Sequence, residues 1–315
     1  MKYVFILNSF GNKDIKKTYN RIDEISKYLG IDYIIEVNSK FESTEEILNR
    51  YKYSNDIIVA VGGDGMINRV LNGIVDTDNL LSYIPNGTGN DFNRTVKETL
   101  NSGSNKIDVV RINNKHFINV ACFGVDAEIA NDDRFVHCNF LPKFLRYDAG
   151  VIYHFFSFKP KSFEVSINDE VIKGDFTTIA LTNARYYGNG YNIGPSSEVN
   201  DGKIEVYLVE ELKKLEMAKT ILSMKEGKHE DSPYIIKKTT DKLSIKSDNL
   251  ISSNIDGEPL NDYNFDIEVL PKKIEVYNNE DLIDLYSNYK HKNKTLSLFK
   301  SHKRKQINEK KKTNN

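Results

Sequence analysis

Short, unbroken apolar runs alternate with amphipathic stretches through the N-terminal third of the chain. The run YVFIL at 3–7 stops at Asn8-Ser9-Phe10-Gly11, the pattern of a strand buried on both faces that runs into a loop. Ile15, Ile22, Ile25 and Leu29 then recur among Lys, Arg, Asp and Glu, which predicts a surface helix over 14–29. IDYIIEV at 31–37 reads as a second strand, Thr44 with Ile47 and Leu48 as a second helix, and DIIVAV at 56–61 as a third strand. LSYIP at 81–85 and KIDVVRI at 106–112 extend the series. Such alternation predicts a mostly parallel sheet covered by helices.

The texture changes near residue 115. From there to about 277 strand-like runs dominate: HFINVACFG, FEVSI, TTIALTNA, KIEVYLV, KLSIK, FDIEVL and KIEVY. Helical signal is confined to about 141–156 and 211–226, so this region reads as antiparallel β architecture, a sandwich or flattened barrel. A last helix is expected to start at Asn279-Glu280-Asp281, whose acids suit the positive end of a helix dipole. It carries Leu282, Ile283, Leu285, Tyr286 and Tyr289 and is expected to pack back on the first domain. No internal repeat is visible.

Composition narrows this further. At 315 residues the chain has room for about two domains, and 39% hydrophobic with 28% charged residues excludes wholesale disorder and collagen. Its two cysteines, Cys122 and Cys138, imply no disulfide framework and a reducing, cytoplasmic setting. No secretory signal is read at MKYVFILNSFGN, and no run approaches the ~18 apolar residues of a membrane span. The net charge of -1 is an average of unlike parts. Residues 290–315 hold ten Lys or Arg against the single acid Glu309, which leaves 34 basic and 44 acidic residues in 1–289. An acidic body therefore carries a basic tail.

The sharpest chemical signal is VAVGGDGMINRVLNGI at 59–74. A strand runs into Gly62-Gly63-Asp64-Gly65, and Ile67, Val70, Leu71 and Ile74 follow at helical spacing, with Gly73 read as the terminator. Glycines at a strand-to-helix junction let backbone N–H groups approach an anion in front of a helix N-terminus. A tight turn with a solvent-facing Asp is the plainer reading. The Gly-Lys-Ser/Thr of a Walker A loop and the G-x-G-x-x-G pattern are both absent. A second loop, YIPNGTGNDFNR at 83–94, gathers Asn86, Gly87, Thr88, Gly89, Asn90 and Asp91 directly after a strand. In an open parallel sheet the two loops would share the carboxyl ends of the strands, where such sheets bind ligands. Asp108 lies in an otherwise apolar strand, either as a structural hydrogen-bonding group or as a third acid. Asp64, Asp91 and Asp108 could together hold Mg²⁺ largely through water, leaving sites for nucleotide phosphates.

These segments carry a specific resemblance. GGDG with Asn72-Gly73, the loop PNGTGNDFNR, KIDV at 106–109 and NVACFGVDAE at 119–128 resemble the diacylglycerol kinase-type lipid kinase family. That family takes in bacterial diacylglycerol kinases and sphingosine kinases and is more distantly related to NAD kinases. The likeness continues through TNARYYGNGYNIGP at 182–195, VNDGKIEVYLV at 199–209 and NIDGE at 254–258, and so covers about residues 1–278. It implies an α/β nucleotide-binding domain with a parallel sheet over 1–114, a mainly antiparallel β-sandwich domain over 115–278, and an active cleft between them. The helix at 279–290 would return to the first domain, and 291–315 would be a basic, disordered tail.

The resemblance implies Mg²⁺-assisted, in-line transfer of the γ-phosphoryl of ATP to a lipid hydroxyl, with diacylglycerol giving phosphatidic acid. Asp64 resembles the acid that organises metal and substrates. Asp91 and Asp108 resemble partners in a water-mediated Mg²⁺ network, and Asp201 a residue of a structural metal site. Asn8, Gly62, Gly63, Gly65, Asn86, Gly87, Thr88 and Gly89 resemble the nucleotide-contacting positions. Glu258 looks like the general base toward the acceptor hydroxyl, since a weakly acidic alcohol gains from a positioned carboxylate. Without the resemblance, DGE and NDG read equally as β-turns. Three positions depart from the family pattern: Met66 where Thr is common, Arg69 where Glu is common, and a first loop reading Asn8-Ser9-Phe10-Gly11-Asn12.

Other classes fare worse. No H-E-x-x-H, C-x-x-C or G-x-S-x-G pattern occurs. Tyr186, Tyr187 and Tyr191 read either as lining for a lipid or as core packing. The alternatives kept open are a kinase for another amphiphile such as a sphingoid base, an NAD kinase-like activity, and a nucleotide-binding descendant without turnover. The expected partner is a membrane lipid, reached with help from the basic tail on an anionic surface; a homodimer stays open. Nucleic acid is not expected, because an acidic body repels phosphates.

Overall fold

The computed structural model describes residues 1–9, 14–87, 89–124 and 160–289. Thr88, Cys138, the helical signal at 141–156 and the basic segment 291–315 lie outside the described residues.

Strands β1 (Tyr3–Leu7), β2 (Tyr33–Val37), β3 (Ile57–Gly62) and β4 (Leu80–Pro85) pair in parallel in the order β2-β1-β3-β4. Helices α1 (Ile15–Leu29), α2 (Thr44–Asn49) and α3 (Asp64–Ile74) connect them, and α4 (Asp91–Thr99) follows β4. Helix α1 buries Thr18, Ile22, Ile25 and Ser26, then ends where Gly30 turns left-handed at φ 67°. Helix α2 opens with a capping box in which Ser43 and Glu46 satisfy each other's backbone N–H. Helix α4 shortens the loop expected over 83–94: Asp91, Phe92, Thr95 and Val96 are buried together at helical spacing. Gly73 is not the terminator of α3. It lies inside the helix, where a Cβ would stand 2.3 Å from Leu48 Cδ1, so its bareness lets α2 and α3 pack closely.

The rest of the chain is β-rich. It comprises β5 (Gly103–Ile112), β6 (Lys115–Phe117), β7 (Val120–Gly124), β8 (Lys161–Ile167), β9 (Glu170–Thr182), the short β10 (Tyr186–Tyr187) and β11 (Tyr191–Asn192), and β12 (Ile204–Glu210). After α5 (Lys214–Lys225) come β13 (Ile235–Thr240), β14 (Lys242–Ile255), β15 (Glu258–Asn278) and α6 (Glu280–Asn288). Pairing among these strands is antiparallel. Their alternate side chains bury Val110, Phe117, Phe123, Val165, Leu181, Ile245 and Phe265 in one cluster.

The two halves are not separate sheets. FDIEVL and KIEVY, which read as two strands, belong to the single 21-residue β15. Its register against β5 shifts between Leu270 and Ile274, and its far end lies parallel to β4 with Val276 opposite Leu81. Among the described residues a 13-stranded hydrogen-bonded network results. The strand that begins at Glu258 therefore ends beside the parallel layer. Asn279 then caps α6 by accepting the Leu282 N–H at 3.0 Å, and Leu282, Leu285 and Tyr286 pack on Phe5, Leu7, Ile22 and Ile25. Among the described residues no helix is long and apolar enough to cross a membrane.

Candidate active site

Because β3 and β4 are parallel neighbours, the loops that leave their carboxyl ends lie side by side. The Asn86 N–H donates to the Gly62 carbonyl at 2.9 Å. Gly87 then meets Gly63 backbone to backbone, so close that a Cβ on Gly87 would stand 2.6 Å from Gly63 Cα. Asn90, left-handed at φ 53°, accepts the Gly87 N–H and donates to the Gly87 carbonyl, which closes the loop on itself. Asn8 follows the end of β1, one position before Ser9, whose N–H is held by buried Asn38.

Asp64 opens α3 and caps α4. Its two oxygens accept the Asp91 and Phe92 N–H groups at 3.0 and 2.9 Å, placing one negative charge at two helix N-termini. Asp91 is almost fully buried and accepts the Asn189 N–H at 2.8 Å from the turn between β10 and β11. It also pairs with Arg94, which donates to the Gly89 carbonyl as well. Oδ2 of Asp64 and Oδ2 of Asp91 each lie 3.5 Å from where a Cβ on Gly89 would be, so both face the same space at that glycine. Burial, and then the neighbouring Asp64, pushes the Asp91 carboxyl above the usual carboxylate range.

Across from them stands the turn joining β14 to β15, Asp256-Gly257-Glu258. Helix α3 meets it with two stripes of side chains at i, i+4 spacing. One stripe is Asn68 and Asn72, both of which donate to the His116 carbonyl, with Asn68 also donating to Asp256. The other is Gly65 and Arg69. Glu258 Oε1 lies 3.1 Å from where a Cβ on Gly65 would be, and Arg69 grips that same oxygen. Asp256 itself is buried and accepts the N–H groups of Ile118, Asn119 and Val120 at 2.9–3.0 Å. Burial raises its carboxyl to about 6 against the pull of those N–H donors.

The acids fall into two pairs. Asp108 gives one oxygen to the Lys272 N–H at 2.7 Å and the other to the Gly202 N–H at 2.6 Å, beside Asp201. Its carboxyl is raised by burial and holds the register break of β15 against the 199–203 loop. Asp201 turns back to accept the Lys203 N–H at 3.0 Å. Among the described residues no three His, Cys, Asp or Glu side chains close on a common cation position. Asp64 and Asp91 make one pair, Asp108 and Asp201 another.

The comparisons with known proteins bear on this geometry. Residues 2–122 match the diacylglycerol kinase catalytic domain, and residues 119–278 match the YegS C-terminal NAD kinase beta sandwich-like domain. The chain belongs to the diacylglycerol kinase family. A diacylglycerol kinase of Bacillus subtilis (strain 168) is 26% identical over 64% of this chain and 71% of its own. One from Staphylococcus haemolyticus is 27% identical over 76% and 78%. A crystal structure of a diacylglycerol kinase from Bacillus anthracis superposes with a TM-score of 0.63 at 18% identity, covering 89% of this chain and 98% of that one. As a member of the family the protein is a kinase and uses ATP.

Two departures from the family pattern have structural explanations. Met66 is buried in the core beneath the loop, its Cβ 2.6 Å from where a Cβ on Gly62 would be. Arg69 pairs with Glu258. Tyr186 donates to Glu98, Tyr187 to Asn254, and Tyr191 is buried in the core under α5. Sequence reasoning missed Asp256, Asn189 and Arg94. The first stands two residues before Glu258 in NIDGE, and Asn68 with Asn72, one turn apart on an apolar helix, was its only outward sign.

Proposed function

We propose that the protein transfers the γ-phosphoryl of ATP to the free hydroxyl of diacylglycerol, giving phosphatidic acid and ADP. The reading is carried by the opposition of two groups of residues: the interlocked 62–65 and 85–90 loops with Asp64 and Asp91 on one side, and Glu258 on the other. Glycine-spaced N–H groups at the start of α3 suit phosphate oxygens. The acceptor oxygen attacks the γ-phosphorus as the bond to the bridging oxygen of ADP breaks, and Glu258 takes the hydroxyl proton.

Asp64 and Asp91 are the residues that fit Mg²⁺. Their two Oδ2 atoms stand at van der Waals distance from the same point over Gly89 and each already accepts a backbone N–H, so a cation would be held through water, where it would offset the burial of Asp91 and the repulsion between the pair. The ion would supply charge neutralisation for the phosphoryl oxygens. Asp108 accepts the Lys272 N–H at the register break of β15, and Asp201 accepts the Lys203 N–H within its own turn. A membrane lipid has to be met at its surface, and the basic segment 291–315 suits contact with an anionic leaflet at about 1 kcal/mol per basic residue. Truncation after Tyr289 should weaken binding to anionic vesicles at low salt, and unchanged binding would remove the segment from this role.

The catalytic assignment is tested by Glu258→Gln with diacylglycerol in mixed micelles and Mg·ATP. Loss of about 100-fold or more in kcat with little change in the KM for ATP is expected. Wild-type turnover in this variant would overturn the base assignment.

A further inference from the structure

We propose that Arg69 is the positioning residue for Glu258, holding one carboxylate oxygen so that the other faces the acceptor hydroxyl. This rests on the reading of Glu258 as the base. Arg69 directs Nε and a terminal nitrogen to the same oxygen, Oε1, at 3.0 and 2.7 Å, rather than one to each oxygen. Among the described residues Oε2 receives no hydrogen bond, so the guanidinium anchors Oε1 and leaves Oε2 with a lone pair for a proton.

The rest of the contact is built for this. Arg69 stands one turn beyond Gly65 on α3, and Oε1 lies over that face at a distance that a Cβ on residue 65 would crowd. On the neighbouring stripe Asn68 holds Asp256, two residues before Glu258, so one helix grips the turn at both its ends. The pair joins residues 189 apart in sequence, and it crosses from the phosphate-loop helix to the first residue of β15. At 46% and 35% side-chain exposure it is open enough that breaking it does not threaten the fold.

An Arg that acts through Glu258 has consequences that an Arg contacting nucleotide does not. In Arg69→Ala, kcat for diacylglycerol should fall about tenfold while the KM values for ATP and lipid stay within about twofold. Arg69→Lys, with one ammonium in place of the planar fork, should recover part of the loss. Adding Arg69→Ala to Glu258→Gln should change the residual kcat by less than about twofold, because the group being positioned is gone. Unchanged kcat in Arg69→Ala, or a tenfold loss that persists in the Glu258→Gln background, would overturn the proposal. A rise in the KM for ATP alone would reassign Arg69 to the nucleotide. Full activity in Glu258→Gln by itself would instead remove the base reading on which this one stands.

Discussion

Gly87 rides on Gly63: a Cβ on Gly87 would stand 2.6 Å from the Gly63 Cα and 2.9 Å from its nitrogen. Both contacts are with backbone, which has no rotamer to change. Gly87→Ala should therefore push the two loops apart at a cost of about 1–3 kcal/mol. A lower melting temperature in calorimetry, and ATP binding weakened by about tenfold in titration, are the expected results. Wild-type values for both would mean that the loops are not locked in this way.

Asp64 satisfies the start of α4 with the same two oxygens that the proposed function gives to a cation. Asp64→Asn keeps one acceptor for the Asp91 and Phe92 N–H groups, while Asp64→Ala keeps none. Phosphoryl transfer should fall at least about 100-fold in both, since both lose the charge. Thermal unfolding should separate them, the alanine variant losing about 1 kcal/mol more. A fully active Asp64→Asn would contradict the assignment.

Asp256 should leave a pH signature on stability. Its folded carboxyl sits near 6, above the ordinary value of 3.8, so the native state holds a proton that the unfolded chain releases first. Its contribution is fully present below about 4, declines as pH rises and is lost above about 6. The neighbouring charge of Asp64 raises it further. Asp256→Asn turns an amide N–H₂ toward backbone N–H donors and should destabilise the fold by about 1–3 kcal/mol. Chemical denaturation across the range should show that deficit narrowing as pH passes through about 6. A pH-independent deficit would show that the carboxyl does not titrate there.

Asp108→Ala leaves the Lys272 and Gly202 N–H groups without their acceptor, a loss of about 2–4 kcal/mol. The melting temperature should fall while the affinity for Mg·ATP stays within about twofold. A tenfold weaker Mg·ATP with unchanged melting would return Asp108 to the metal set.

The elements were legible where the information is local. Apolar runs at 3–7 and 57–61 and helical spacing after Gly65 place β1, β3 and α3, and GGDG and PNGTGND announce the loops between them. The pairings were not legible, because they join distant residues. Asp108 reads equally as a structural hydrogen-bonding group or a third acid until β15 brings the Lys272 N–H to it, and Arg69 reads only as a departure from the family pattern until Glu258 arrives from 189 residues away. Glycine shows the same limit. Gly73 looks like a helix stop, and only the packed α2 reveals it as room for Leu48.

The central claim is most directly tested by offering the wild-type protein γ-labelled ATP and Mg²⁺ with diacylglycerol, sphingosine or NAD in parallel, and following label into product. Label in phosphatidic acid, dependent on Mg²⁺ and well above the other two acceptors, is the predicted result. Label in phosphorylated NAD alone, or in no acceptor at all, would contradict the account.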